Sequence, residues 1–95
     1  MIIHTFAFRW KPGATEAQKA EAVRSIQAFQ GQIPGLLATY VGDNFSPRSE
    51  GYELGGVMHF PDRAALDAYT AHPAHQTLLR WLQPLISPLE VDFEV

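Results

Sequence analysis

The chain opens with IIHTFAFRW at 2–10, where β-branched and aromatic residues crowd together ahead of Pro12-Gly13. Such a run, closed by Pro-Gly, predicts a strand and a turn. Thr15 then stands as a helix N-cap, with Gln18 three residues on as its capping-box partner. Ala17, Ala20, Val23, Ile26 and Phe29 recur at every third position and predict an amphipathic helix of roughly four turns. Gly31 and Pro34-Gly35 close it. LLATYVGD at 36–43 and YELGGVMHF at 52–60 read as the second and third strands, joined by the turn-forming NFSPRSEG. Gly55-Gly56 weakens the third strand and is expected to leave space beside its backbone. Asp62 is expected to cap a short helix running from 63 to about 71. His72 can cap the next one, because Pro73 suits a first helical position. That helix carries Leu78, Leu79 and Leu82 and stops before Pro84. LEVDFEV at 89–95 alternates strictly and predicts a fourth strand, with Glu90, Asp92 and Glu94 set against Val91, Phe93 and Val95 as in any half-exposed strand.

The order β-α-β-β-α-α-β is the ferredoxin-like pattern: an α+β domain over 1–95, with a four-stranded antiparallel sheet and helices on one face. The other face is unusual. In the first strand Ile2, His4, Phe6 and Phe8 share the bulkier side, expected to meet the helices, and Ile3, Thr5, Ala7 and Arg9 share the opposite one. In the third strand the corresponding sets are Tyr52, Leu54, Gly56, Met58 and Phe60 against Glu53, Gly55, Val57 and His59. A half-apolar sheet face with no helix left to cover it implies a partner. The simplest closed solution is a two-fold homodimer with sheets packed face to face.

Composition narrows the function. The 95 residues include no cysteine, which excludes a disulfide framework and any thiolate nucleophile or metal site. The net charge is −3 and the seven Lys and Arg are scattered, so nucleic-acid binding is not expected. No apolar run approaches a membrane span and the N-terminus lacks a signal-peptide pattern, so the expectation is a cytoplasmic protein with no membrane contact.

Four stretches taken in order are distinctive: FRWKPGAT at 8–15, QIPGLLATYVGDNFSPRSEGYELG at 32–55, FPDRAALDAYTAHPAHQ at 60–76 and the closing VDFEV. Together they resemble the stress-responsive dimeric α/β-barrel family, Dabb, over essentially the whole chain. The resemblance implies a ferredoxin-like protomer whose sheet pairs with a second copy to form a dimeric α/β barrel. It implies little about activity: many members are small proteins of unknown function, and some plant members are linked to stress tolerance. One plant member closes a polyketide ring by intramolecular aldol condensation without a cofactor, using a Tyr and a His that fall on Tyr69 and His75. Its first-strand pocket histidine falls on His4. A second pocket histidine falls on Leu54, and two pocket aromatics fall on Val23 and Ile26, so the chamber must differ and polyketide cyclisation does not transfer.

The chemistry-bearing residues are therefore Tyr69, His75 and His4, proposed to line one cavity between sheet and helices. Val23, Ile26, Leu54, Gly56 and His72 are placed as its binding wall, and Gly56 and Ala65 are expected to leave it room. Imidazole titrates near pH 6.5 and can act as base, while a phenol near 10 stays protonated and can donate to a developing enolate oxygen. Each residue also has a purely structural reading: His72 as a cap, Tyr69 as wall, His75 bonded to backbone, and His4 as a satisfied core histidine. A metal bound by His72, His75 and His4 is disfavoured, because no carboxylate is evident nearby and Pro73 turns the two rings apart. No phosphate loop, nucleophile elbow or H-E-x-x-H motif is present. Three functions stay open: a binder of a small apolar or carbonyl compound, a cofactor-independent aldol-type enzyme using Tyr69 and His75 as acid–base pair, and a monooxygenase of the antibiotic-biosynthesis type.

Overall fold

The computed structural model describes residues 1–95 and places every predicted element. These are β1 (Ile2–Trp10), α1 (Glu16–Gln27), β2 (Ala38–Asp43), β3 (Leu54–Phe60), α2 (Arg63–Ala71), α3 (Pro73–Leu82), a 3₁₀ turn (Gln83–Leu85) and β4 (Ile86–Glu94). The strands form one antiparallel sheet in the order β2-β3-β1-β4, which is the ferredoxin-like arrangement.

The caps explain where the helices begin. Thr15 Oγ1 accepts from the Gln18 amide and the Gln18 side chain accepts from the Thr15 amide, closing the capping box. Asp62 accepts from the Ala65 amide, and His72 Nδ1 accepts from the Ala74 amide with Pro73 in the first turn. Ile2, His4, Phe6 and Phe8 of β1 all face the helices and are buried, with Leu54, Met58 and Phe60 of β3 beside them.

Four expectations are corrected. On α1 the buried residues are Ala22 and Ile26, continued by Phe29 beyond its end, while Ala17 and Ala20 are exposed. A strict three-residue repeat drifts around a helix of 3.6 residues per turn, so only part of the predicted series stays on the sheet side. The parity of β3 does not extend back to its predicted start: Glu53 reaches Lys19 of α1 at 3.7 Å, whereas the Tyr52 ring lies under Arg9, 4.3 Å from the guanidinium carbon. Regular pairing begins only at Leu54, so the chain before it is free to turn. β4 starts three residues earlier than 89 and runs through Pro88, which faces Phe8 across the ladder. An edge strand has one side without hydrogen-bond partners, and proline is tolerated there. Gly56 leaves no open space, because a Cβ there would come within 2.1 Å of Phe6 Cζ: the Phe6 ring lies across it.

The register also fixes the two faces of the sheet. Ile3, Thr5 and Ala7 of β1 stand opposite Phe93, Val91 and Leu89 of β4 and opposite His59, Val57 and Gly55 of β3, all away from the helices. Tyr40 of β2 joins them beside Val57 and packs edge-on against His59. Tyr40, Leu89, Val91 and Phe93 are each about half or more exposed. The acidic side of β4 lies on the helix side, with Glu94, Asp92 and Glu90 opposite Ile2, His4 and Phe6.

Candidate functional site

One cavity of about 220 Å³ opens between the sheet and the helices. β1 contributes His4, Phe6 and Phe8, α2 contributes Tyr69, α3 contributes His75 and a leucine wall, and β4 contributes Glu90. The proposed trio thus lines a single space, because the inward parity of β1 carries His4 and the one-turn spacing from Leu66 carries Tyr69 beneath α2. Of the proposed wall residues only Ile26 joins it. Val23 and Leu54 border a second cleft beside Trp10 and Lys19, Gly56 lies under Phe6, and His72 is taken up in capping α3.

Tyr69 is 5% exposed and sits at the centre of an aromatic cluster. Its ring centroid is 4.4 Å from His75, 5.4 Å from Phe60, 5.7 Å from Phe29 and 5.9 Å from His4. Burial pushes the phenol well above its ordinary value of 10.0, and the Glu90 carboxylate adds to the rise by opposing a second negative charge. The group is held as a neutral hydrogen-bond donor.

The two histidines are oriented by acceptors. His75 Nδ1 lies 3.0 Å from the Thr70 carbonyl, which also accepts from Gln76 Nε2 at 2.7 Å. His4 Nδ1 lies 2.5 Å from Asp92 Oδ1. A carbonyl or carboxylate oxygen only accepts, so in each neutral ring Nδ1 carries the hydrogen and Nε2 keeps the lone pair. The arrangement is therefore two imidazoles with Nε2 as their basic nitrogen and a protonated phenol between them. His4 is as buried as Tyr69, yet it is satisfied by its carboxylate, and no buried side-chain nitrogen or oxygen is left without a partner.

Asp92 and Glu90 are the residues that sequence reasoning passed over. Their strict alternation with Val91 and Phe93 defines two faces of β4 without saying which meets the helices. The observed register decides it: Val91 and Phe93 stand beside Thr5 and Ile3 on the open face, so the carboxylates turn inward. His72, His75 and His4 do not converge, and no group of three or more His, Asp or Glu side chains is placed to hold a metal.

The model of the stress responsive A/B barrel domain matches residues 2–95. The chain belongs to the Dabb family. Among solved structures, a dimeric ferredoxin-like protein from Jannaschia sp. CCS1 is 31% identical, with a TM-score of 0.85 over 99% of this chain and 98% of that one. A Dabb family protein with a ferredoxin-like fold from Mesorhizobium loti is 26% identical, with a TM-score of 0.83 over 99% of this chain and 95% of that one. An Arabidopsis thaliana protein is 20% identical, with a TM-score of 0.88 over 100% and 95% of the two chains, a likeness of fold. Comparison with curated protein sequences finds no match. No helix of this Dabb chain is long and apolar enough to cross a membrane.

Proposed function

We propose that this Dabb protein binds a small carbonyl compound in the interlayer cavity and moves a proton on it without a cofactor. The observation that carries the reading is the pair of imidazoles, each with Nδ1 tied to an acceptor, flanking a phenol that burial keeps protonated. In the reaction this supports, His75 Nε2 takes a proton from the carbon next to the carbonyl. The C–H electron pair becomes the enolate double bond, and the Tyr69 hydroxyl donates to the oxygen on which charge gathers. Return of that proton from His75 to carbon, or attack of the enolate on a second carbonyl with His75 returning the proton to the new alkoxide, completes the turnover. His4, oriented by Asp92, is the second base within the same space.

Size limits the guest. An engineered cavity of about 150 Å³ accommodates benzene. At about 220 Å³, this one suits a single ring with a short side chain rather than a long polyketide.

The quaternary expectation belongs to the same proposal. The open sheet face is apolar and about half exposed, and the Jannaschia relative is described as dimeric. A second copy packed on that face would leave the cavity on the far side of each sheet.

Acetophenone in deuterated buffer tests the chemistry. The parent protein is expected to speed exchange of the methyl protons, read by NMR. His75→Ala and Tyr69→Phe are each expected to lower the rate by roughly 10²-fold. Binding without accelerated exchange would leave a carrier and remove the acid–base roles. Absence of both would remove the site, and oxygen uptake with an electron-rich phenol would favour the monooxygenase chemistry instead.

A further inference from the structure

The charges around the cavity are all of one sign. No Lys or Arg is among its lining residues, whereas Glu90 is. Its place is set by the ladder: opposite Phe6, it projects to the helix side of β4 as Asp92 and Glu94 do. Those two neighbours have partners, Asp92 the His4 ring and Glu94 the Arg63 guanidinium at 3.8 Å. Glu90 pairs with no basic group, so its charge, though exposed at the rim, is not neutralised by a neighbouring side chain. Its field already reaches the middle of the site, since it is felt at the Tyr69 hydroxyl.

We propose that Glu90 is a specificity-determining residue that makes the cavity reject anionic compounds and admit neutral or cationic ones. The inference rests on the carbonyl-binding reading above and names its substrate class: uncharged ketones and aldehydes, or carbonyl compounds bearing an amine, and not keto acids or other carboxylates. The physical reason is the apolar wall. Phe6, Phe8, Leu78 and Leu82 exclude water around a bound ring, so a carboxylate there would lose hydration and also face the Glu90 charge at the rim, a repulsion that solvent on the outer side of Glu90 reduces but does not abolish. A neutral carbonyl oxygen meets only the Tyr69 hydroxyl and has no such penalty. An amidinium or ammonium group gains from Glu90 what a carboxylate loses.

Three flat probes of the same heavy-atom count separate the cases: acetophenone, benzoate and benzamidine, each titrated by NMR at about pH 8, where an ordinary imidazole is neutral. Benzoate is expected to bind at least about tenfold more weakly than acetophenone, with benzamidine equal to acetophenone or tighter. In Glu90→Gln the ratio of benzoate to acetophenone affinity should rise toward one, because the change removes the charge and keeps the shape of the side chain. Benzoate binding as well as acetophenone in the parent, or a deficit unchanged in Glu90→Gln, would overturn the assignment and leave the carbonyl site standing. Failure of all three probes to bind would instead bring down the carbonyl site itself, and this inference with it.

Discussion

Tyr69 shows how one buried side chain couples folding to chemistry. Its proton is held more tightly in the folded chain than in the unfolded one, because ionisation would place charge in an aromatic cluster beside Glu90. The sign follows directly. This contribution to stability is complete below the unfolded value of about 10 and is lost as the pH rises through the higher folded value. Urea midpoints of the parent should therefore fall more steeply between about pH 9 and 11 than those of Tyr69→Phe. Tyr40 and Tyr52 are common to both proteins, so the difference isolates one phenol. Parallel curves would mean that the Tyr69 proton is not shielded. His4 and Tyr69 were legible in the chain through strand parity and a helical turn, and His75 through the family resemblance. Their acceptors were not. The bonds from His75 to Thr70 and from His4 to Asp92 depend on tertiary placement, which no spacing rule encodes.

Among the elements, the helix starts were the most legible features and the strand ends the least. Capping is local chemistry, and Thr15, Asp62 and His72 each cap where the pattern placed them. Replacing Thr15 by Ala removes one half of the box and should cost about 1 kcal/mol, read by urea denaturation. Strict alternation misled at β4, since it begins at Leu89 while the strand reaches back through Pro88 to Ile86, a proline that an edge strand tolerates. The glycine pair of β3 misled in another way. Absence of a side chain was read as room, yet the Phe6 ring of the neighbouring strand fills it. Gly56→Ala should therefore destabilise the fold by roughly 1–3 kcal/mol, as the ring is driven off its seat. Phe6 also lines the cavity, so the same substitution should change acetophenone affinity, which NMR titration would reveal as a shifted Kd. An unchanged Kd would show that the ring moves away from the guest rather than toward it.

For the molecule as a whole, the sheet divides two properties between its sides. The helix side carries the cavity, and the opposite side carries Tyr40, Val57, Val91 and Phe93 without a charge among them. Arg9, at the rim of that face, donates from Nε to the Glu50 carbonyl and lies over Tyr52. If two copies meet there, Val91→Lys places an unpaired ammonium in the junction twice, at a cost of about 3–5 kcal/mol for each. Sedimentation should show a two-copy particle for the parent and a single-copy one for the variant, with unchanged circular dichroism because Val91 is exposed in the protomer. A parent that sediments as one copy would refute the pairing. The apolar open face could be read from the first and third strands alone. The acidic inner side of β4 needed the observed register.

This two-sidedness has an evolutionary corollary. If a guest occupies the cavity and a second copy covers the open face, mutations that retune the one alter residues remote from the other, so selection can explore new small molecules while assembly is left intact. A lineage built on such a plan can diversify its chemistry one pocket residue at a time and still remain, at every step, the same folded object.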